Sequence, residues 1–339
     1  MTLELRERLT PLRRAQYNFD ERSVRAELTD LLHEEAVVQL PCPLDTVVGP
    51  GAFYDRAYKD LFEAIPDLER RDTIVMAGPT PEGANWVGCC GYYTGTFRQP
   101  WLDIPATGHM VSMRFHEFFR VEDHRVTEVQ AIWDIPELMM QAGAWPLSPS
   151  LGREWHVPGP ASEDGLSLGK RDNELSQNAF DIVFDMCNHL GKYATEGVTG
   201  MRLDQFWHPR CSWYGPSGIG TCRGIDGFRN WHQIPFLNGM PNRVGNPAAG
   251  HMFADNGYVG FTAWPGMFMT ISEDGWLGIP PVDREITMRS LDFWRVEGSL
   301  IRENWVLIDL LDVYRQIGVD VLSRVREFNK ARISIPPAY

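Results

Sequence analysis

The chain has 339 residues, of which 43% are hydrophobic and 23% charged, and its formal net charge is −13. This length predicts two globular domains with buried cores. The negative charge argues against nucleic acid and anionic membrane surfaces as partners, because both are bound through clustered Lys and Arg.

Membrane spans and export signals are also not expected from the sequence. No apolar stretch approaches the roughly 20 residues that cross a bilayer. The start, MTLELRERLTPLRR, alternates charged residues with Leu instead of forming an apolar signal core. We therefore expect a cytoplasmic protein.

Helices come first in each half of the chain, and strands follow. In the first half, apolar residues recur at helical spacing in SVRAELTDLLHEEAVVQL and FYDRAYKDLFEAI. Strands are predicted where β-branched and aromatic residues cluster between Pro and Gly, in DTIVMAG, NWVGCCGYYTGTF, HMVSMRFHEFFRVED and RVTEVQAIWD. The second half repeats this scheme. The order favours an α+β fold, with helices packed on one face of a curved antiparallel sheet.

A connector rich in Pro, Gly and Ser, residues 144–173, lies between the two halves. It predicts a linker between a first domain over residues 17–143 and a second domain over residues 174–330. Trp145 and Trp155 within it suggest a linker that docks on a domain instead of floating freely.

Over most of their length the two halves match each other without a gap at a spacing of 175 residues, the distance from Asp134 to Asp309. VSMRFHEFFRVED lies over ITMRSLDFWRVEG, and WLDIP lies over WLGIP. An apolar strand that stops on an Asp and turns helical also occurs twice, in EVQAIWDIPELMMQAG and ENWVLIDLLDVYRQIG. The repeat predicts duplication of a whole domain, because solenoid units run only about 20 to 50 residues.

These motifs, in this order, resemble the SnoaL-like polyketide cyclases, or ester cyclases, of the nuclear transport factor two superfamily. The resemblance implies two tandem cone-shaped α+β barrels, each with a curved antiparallel sheet and N-terminal helices around an apolar pocket. It also implies a small hydrophobic molecule as ligand, and chemistry without metal or organic cofactor. Such domains often pair through their sheets, so we expect an intrachain pseudo-dimer, with a homodimer as a further possibility.

Asp134 and Asp309 match the acid–base residue of the characterised cyclases. The resemblance implies that each projects into a pocket, where a carboxylate is costly to ionise and its pKa rises toward the range useful for proton transfer. Such a residue would serve aldol cyclisation, isomerisation or dehydration of a small hydrophobic carbonyl compound. One alternative is that each Asp caps the helix that follows it. Another is a non-catalytic protein that binds a hydrophobic small molecule.

Histidines and aromatic residues complete the predicted sites. His33 and His208 lie at equivalent points and are candidates to orient an acid or polarise a substrate oxygen, with shared packing as the simpler interpretation. His251 has no counterpart in the first half, where Met76 stands. The Gly-rich and aromatic segment 213–236 is predicted to form the pocket mouth or lid. The predicted substrate-binding residues are Tyr92, Trp133, Trp213, Tyr214, Trp231, His232, His251, Trp264 and Trp305.

The sequence lacks the motifs of several other kinds of active site. There is no H-E-x-x-H, no phosphate-binding loop and no G-x-S-x-G nucleophile elbow. Arg114 and Arg289 recur beside acids and are interpreted mainly as structural ion pairs, with the domain interface as one place for them. A third hypothesis treats one copy as a scaffold, whose cavity is filled by side chains such as Trp133 or Met139.

Overall fold

The computed structural model describes residues 2–334 and contains two β-sheets, one in each half of the chain. The first half contains the helices α1 (Thr2–Arg8), α2 (Thr10–Tyr17), α3 (Glu21–Leu31), α4 (Pro50–Phe53), α5 (Lys59–Ala64) and α6 (Ile135–Gln141). Its strands are β1 (Leu32–Gln39), β2 (Thr46–Val48), β3 (Glu69–Pro79), β4 (Asn85–Thr96), β5 (Met110–Glu122) and β6 (Arg125–Trp133). A π-helix, Tyr54–Tyr58, joins α4 to α5.

The second half repeats this series of elements. Its helices are α7 (Asn173–Leu190), α8 (Tyr193–Gly200), α9 (Leu203–Phe206), α10 (Gly224–Phe228), α11 (Ile234–Gly239), α12 (Leu310–Gln316) and α13 (Val321–Ser334). Its strands are β7 (Trp207–Tyr214), β8 (Thr221–Arg223), β9 (Val244–Gly245), β10 (Gly250–Asp255), β11 (Tyr258–Thr270), β12 (Glu285–Glu297) and β13 (Leu300–Ile308). A π-helix, Arg229–Gln233, again joins two helices, α10 and α11.

Both sheets have the same strand order. The first runs β2-β1-β6-β5-β4-β3, and the second runs β8-β7-β13-β12-β11-β10, with β9 also paired to β11. In each sheet the first long strand pairs in parallel with the last strand, and the other neighbours are antiparallel. The predicted α+β class and the curved sheets with helices are confirmed.

Local sequence explains where the helices begin and which face they bury. The Asp20 side chain caps α3 by accepting a hydrogen bond from the Ser23 amide at 2.9 Å. Val24, Leu28 and Leu31 follow at helical spacing and are all buried. Within residues 2–334, no helix is both long and apolar enough to cross a membrane.

The two sheets pack against each other through equivalent residues. Phe118 on β5 stacks on its repeat equivalent, Phe293 on β12, with ring centroids 4.8 Å apart. A Cβ atom added at Gly88 would lie 2.9 Å from the Phe293 ring, and one at Gly260 would lie 3.1 Å from the Phe118 ring. Glycine at both positions thus allows each phenylalanine to approach the opposite sheet closely.

The connector packs along both halves. Tyr92 donates a hydrogen bond to the Val157 carbonyl at 3.0 Å and accepts one from the Val157 amide at 2.9 Å. The Trp305 indole donates to the Pro158 carbonyl at 2.9 Å, and the Trp155 indole donates to the Thr221 hydroxyl at 3.0 Å. The segment is therefore docked, whereas the predicted boundaries of the two domains stay a prediction.

Candidate functional site

A cavity of about 530 Å³ lies in the second half, between the curved sheet and helices α7, α10 and α11. This volume falls in the range of small-molecule sites. Its wall is mainly apolar and aromatic, with contributions from Phe184, Trp207, Trp213, Phe228, Phe236 and Trp294. Pro81 and Glu82 also line it, and they belong to the β3–β4 turn of the first half.

The cavity wall contains Asp292, an acid on β12 of the second half. Its residue surface is only 9% exposed. Burial raises the pKa of its carboxyl to about 7, and hydrogen bonding to the Asn304 side chain opposes the increase. Among the described residues 2–334, no cation forms an ion pair with Asp292. Such a carboxyl can both take and return a proton near neutral pH.

The repeat equivalent of Asp292 in the first half is Glu117, which is enclosed by polar partners. The Glu117 carboxylate accepts hydrogen bonds from Arg70 Nη1 at 2.6 Å, the Tyr93 hydroxyl at 3.0 Å and the Trp133 indole at 3.0 Å. All four side chains are almost fully buried. The space next to this acid is therefore filled by side chains, as the scaffold hypothesis expected of one copy for Trp133.

Smaller residues replace the bulky members of this cluster in the second half. Strand pairing identifies the equivalents, because β9 pairs Gly245 with Met267 as β3 pairs Arg70 with Tyr93. The repeat spacing adds the other two. Gly245 stands in place of Arg70, Met267 in place of Tyr93, Ile308 in place of Trp133 and Gln233 in place of Tyr58. All four of these second-half residues line the cavity.

Several polar groups in the cavity wall have no hydrogen-bond partner among the described residues. They are His232 Nδ1, Gln233 Oε1, Trp207 Nε1 and Trp294 Nε1. His232 stacks on Trp213 with ring centroids 3.9 Å apart, and burial lowers its pKa to about 3. The imidazole is therefore neutral at physiological pH. Unpaired polar groups of this kind are rare in folded proteins, and these four are available to a ligand in the cavity.

Asp134, at the end of β6, lies at the junction of the two halves. Its Oδ1 accepts a hydrogen bond from the Glu137 amide at 3.3 Å and so caps α6. Its Oδ2 accepts one from the Ser217 amide of the other half at 2.9 Å and lies 3.5 Å from Arg114 Nη2. Burial raises its pKa, while Arg114 and these amides lower it.

Asp309 makes the reciprocal contacts from the second half. It caps α12 by accepting from the Asp312 amide at 3.2 Å. Its Oδ2 accepts from the Cys42 amide of the first half at 3.0 Å and from Arg289 Nη1 at 2.9 Å. Burial raises its pKa to about 6, and Arg289 opposes that increase. Cys42 is the repeat equivalent of Ser217, so the junction is nearly symmetric.

Asp134 and Asp309 thus lie at the junction of the two halves, and the acid–base role that the family resemblance implies for them stays a prediction. Both carboxylates are buried, but each faces the backbone of the other half, and neither lines the described cavity. The physical reason is that the acid ends its strand where the sheets meet, so it satisfies amides of both a helix start and a neighbouring loop. Each Asp caps the helix that follows it. Arg114 pairs with Asp134 and Arg289 pairs with Asp309, each within its own half.

Residues 11–142 match the family model described as SnoaL-like polyketide cyclase. This match lies within the first half of the chain. The second half repeats the strand order of this SnoaL-like half. Among proteins with curated descriptions, none matches the chain significantly.

Solved structures similar to the chain include members of the same group. IdmH from Streptomyces antibioticus is 19% identical, with 40% of this chain and 96% of that one covered and a TM-score of 0.34. A SnoaL-like polyketide cyclase from Agrobacterium tumefaciens is 20% identical, with coverages of 42% and 98% and a TM-score of 0.32. An NTF2-like protein from Burkholderia thailandensis is 16% identical, with coverages of 41% and 95% and a TM-score of 0.32.

The paired histidines of the two halves lie away from the cavity. His33 is exposed, and its Nδ1 accepts a hydrogen bond from the Glu35 amide at 3.1 Å. His208 is half-buried, and its Nδ1 accepts from the Arg210 amide at 3.0 Å. The simpler interpretation, a shared structural role, agrees with this repeated local bond, and a role of either histidine toward an acid or substrate stays a prediction.

Two of the predicted substrate-binding residues, Trp213 and His232, line the cavity. Trp231, their neighbour in the segment 213–236, is 55% exposed. The segment therefore contributes wall residues through β7, α10 and the second π-helix.

The remaining aromatic candidates lie elsewhere. Tyr214 donates to Glu303 at 3.1 Å, His251 stacks on Trp86 of the first half at 4.8 Å, and Trp264 lies 4.6 Å from the Arg289 guanidinium. Tyr92 and Trp305 hold the connector, and Trp133 belongs to the Glu117 cluster. None of these residues lines the described cavity, and their role in substrate binding stays a prediction.

The structure also brings forward residues that sequence reasoning missed, namely Asp292, Asn304, Arg243 and Gly245. Asp292 was visible in the matched block as an acid in an apolar strand, beneath Glu117 of the first half. The signal that separates the two acids is the replacement of Arg70 by Gly245 in the repeat. Within residues 2–334, no group of three or more His, Cys, Asp or Glu side chains is arranged to hold a metal ion.

Proposed function

We propose that the second half is a cofactor-independent acid–base enzyme for a small hydrophobic carbonyl compound, with Asp292 as the acid–base residue. The observation that supports this proposal is a carboxyl without a cation partner in the wall of an apolar cavity of about 530 Å³. The match of the first half to the SnoaL-like polyketide cyclases agrees with it.

The proposed step is proton abstraction next to a carbonyl. The Asp292 carboxylate takes the proton from the carbon, and the electron pair moves toward the carbonyl oxygen to form an enolate. The protonated carboxyl then returns the proton at oxygen or at another carbon. Aldol cyclisation, isomerisation and dehydration share this first step. The apolar wall excludes water and keeps the pKa of the carboxyl near neutrality.

Solvent exchange tests this step before the natural substrate is identified. A panel of hydrophobic ketones and 1,3-dicarbonyl compounds is incubated with the protein in deuterated water, and deuterium uptake next to the carbonyl is followed by NMR. We expect uptake above the buffer rate for some members. Asp292→Asn should lower it by about 100-fold or more, because the amide cannot accept the proton. Unchanged uptake in Asp292→Asn would reject the assignment.

Asp134→Asn and Asp309→Asn are the matched controls, because both acids are buried but lie at the junction of the halves. We expect both variants to keep the exchange rate within about twofold if they remain folded, since neither carboxylate lines the cavity. Loss of exchange in one of them, with Asp292→Asn active, would instead support the acid–base role that the family resemblance implied.

A second candidate function is a non-catalytic binding protein for a hydrophobic small molecule. It is favoured by the predominance of apolar and aromatic side chains in the wall. Binding of panel members without deuterium uptake in the wild type would support it over the enzyme.

We also infer that the fused halves form an intrachain pseudo-dimer. The reciprocal Asp134–Ser217 and Asp309–Cys42 contacts and the stacking of Phe118 on Phe293 support this inference. A homodimer of the whole chain and a cytoplasmic location stay predictions.

A further inference from the structure

Arg243 is a cation in the wall of the second-half cavity. It follows α11, in the loop that leads to β9, and is half-buried. Among the described residues 2–334, no carboxylate forms an ion pair with it. Its surroundings differ from those of the other buried arginines described above, since Arg70, Arg114 and Arg289 each pair with an acid.

The contacts of Arg243 hold its stem and leave donors available. Its Nη2 donates one hydrogen bond, to the Leu190 carbonyl at 3.1 Å. Its guanidinium carbon lies 5.8 Å from the centroid of the Tyr193 ring and 5.9 Å from that of Phe236. A guanidinium carries five N–H donors in a planar fork that suits a carboxylate. Most of that capacity is thus not used by the contacts described.

The electrostatics around Arg243 agree with this geometry. Burial lowers its pKa, and Tyr193 is the group that raises it. A partly desolvated cation without a nearby counter-charge gains most from an anion that enters with the ligand.

The first half lacks this feature. The repeat equivalent of Arg243 is Leu68, which is buried in the core at 2% exposure. The positive charge therefore occurs in the half that has the cavity described above, and the half with the filled Glu117 cluster has an apolar side chain there.

We propose that Arg243 anchors an anionic oxygen group of the ligand, so that the substrate class is a hydrophobic carbonyl compound that also carries a carboxylate. This inference rests on the proposed function for the carbonyl part alone. The anchoring itself requires only that the cavity binds a ligand.

Two fluorescent probes of nearly the same shape test the anchor without any turnover. Anilinonaphthalene sulfonate is anionic, and N-phenylnaphthylamine is its neutral counterpart. Gly245→Phe is a neutral substitution that fills the cavity. The fluorescence that this variant loses relative to the wild type is taken as the signal from the cavity. Arg243→Met should weaken the cavity affinity for the sulfonate about tenfold and leave that for the neutral probe within about twofold.

Arg243→Lys is the rescue variant, because it keeps the charge and loses only the planar fork. We expect it to recover most of the sulfonate affinity. Equal losses for both probes in Arg243→Met, or no loss for either, would overturn the anchor. Neither result depends on deuterium exchange, so the anchor and the acid–base proposal fail or succeed separately.

Discussion

Glu117 and Asp292 occupy the same position in two copies of one fold, yet their surroundings are opposite. Glu117 is surrounded by Arg70, Tyr93 and Trp133, which satisfy its charge and fill the space. Asp292 has Asn304 as its hydrogen-bonding neighbour and otherwise borders a cavity. The fold around the two acids is the same. An acid in this position is a core residue when a cation and bulky side chains surround it, and a candidate reactive group when they are absent.

The difference has an energetic side. A buried acid that is fully paired costs little, whereas an unpaired buried acid costs several kcal/mol or stays protonated. The second half accepts that cost at Asp292, where the pKa of the carboxyl is raised to about 7. Positions that break the rules of a stable core in this way are typical of functional sites.

The largest effect is expected from removing the cation of the first half. Arg70→Met leaves Glu117 buried without its counter-charge, and we expect a loss of about 3–5 kcal/mol in the free energy of unfolding. Urea denaturation measures it. Arg71→Met is the control, because the Arg71 side chain is 60% exposed and should change stability by less than about 0.5 kcal/mol. Similar values for both variants would mean that the Glu117 cluster is not a stabilising core.

The next effect concerns the pH dependence of stability. The pKa of Asp292 is about 7 in the folded chain against an ordinary value of 3.8. The unfolded chain therefore loses this proton first, and between about pH 4 and pH 7 the group progressively destabilises the folded state. About three pH units at roughly 1.4 kcal/mol each give at most about 4 kcal/mol.

Asp292→Asn should remove this penalty. We expect the variant to be more stable than the wild type at pH 7.5, by up to about 4 kcal/mol, and equal to it near pH 3.5. Thermal and urea unfolding at several pH values measure the difference. Asp274→Asn, at an exposed position, is the control and should leave the pH profile unchanged. A wild type and Asp292→Asn variant with parallel profiles would contradict the raised pKa.

A smaller effect is expected from making the second half resemble the first. A Cβ at Gly245 meets no atom within 4 Å, so a longer side chain has room to enter. Gly245→Arg should place a guanidinium where Arg70 stands in the first half, pair with Asp292 and lower probe affinity about 100-fold, or about 2.7 kcal/mol. Gly245→Ala should bind normally. Full binding by Gly245→Arg would mean that this position does not control the cavity.

The sequence predicts the fold well because the relevant signals are local. Apolar spacing in α3, the Asp cap after β6 and the repeated W-L-x-I-P motif each fall within a few residues. The repeat then transfers the sheet order from one half to the other. The recurrence of Arg114 and Arg289 beside acids likewise indicates ion pairs, and the structure pairs them with Asp134 and Asp309.

The site could not be predicted in the same way, because it depends on residues that are distant in the chain. Whether an acid in an apolar strand is neutralised depends on Arg70 or its absence, and that residue precedes Glu117 by a separation of 47 positions. The role of Asp134 depends on an amide 83 positions later, across the interface. A single strand pattern therefore gives the same prediction for a cap, a core ion pair and a reactive carboxyl.

The turn between β3 and β4 links one copy of the duplicated domain to the cavity of the other. This five-residue turn, residues 80–84, carries Pro81 and Glu82 to the cavity of the other half, whereas the matching turn of the second half has only residues 256–257. Part of the cavity wall is thus supplied by the copy in which Arg70, Tyr93 and Trp133 fill the space around Glu117. In a fused protein of this kind, substitutions in a surface hairpin of one copy can change which ligands the cavity of the other copy accepts, while the remaining wall residues stay unchanged.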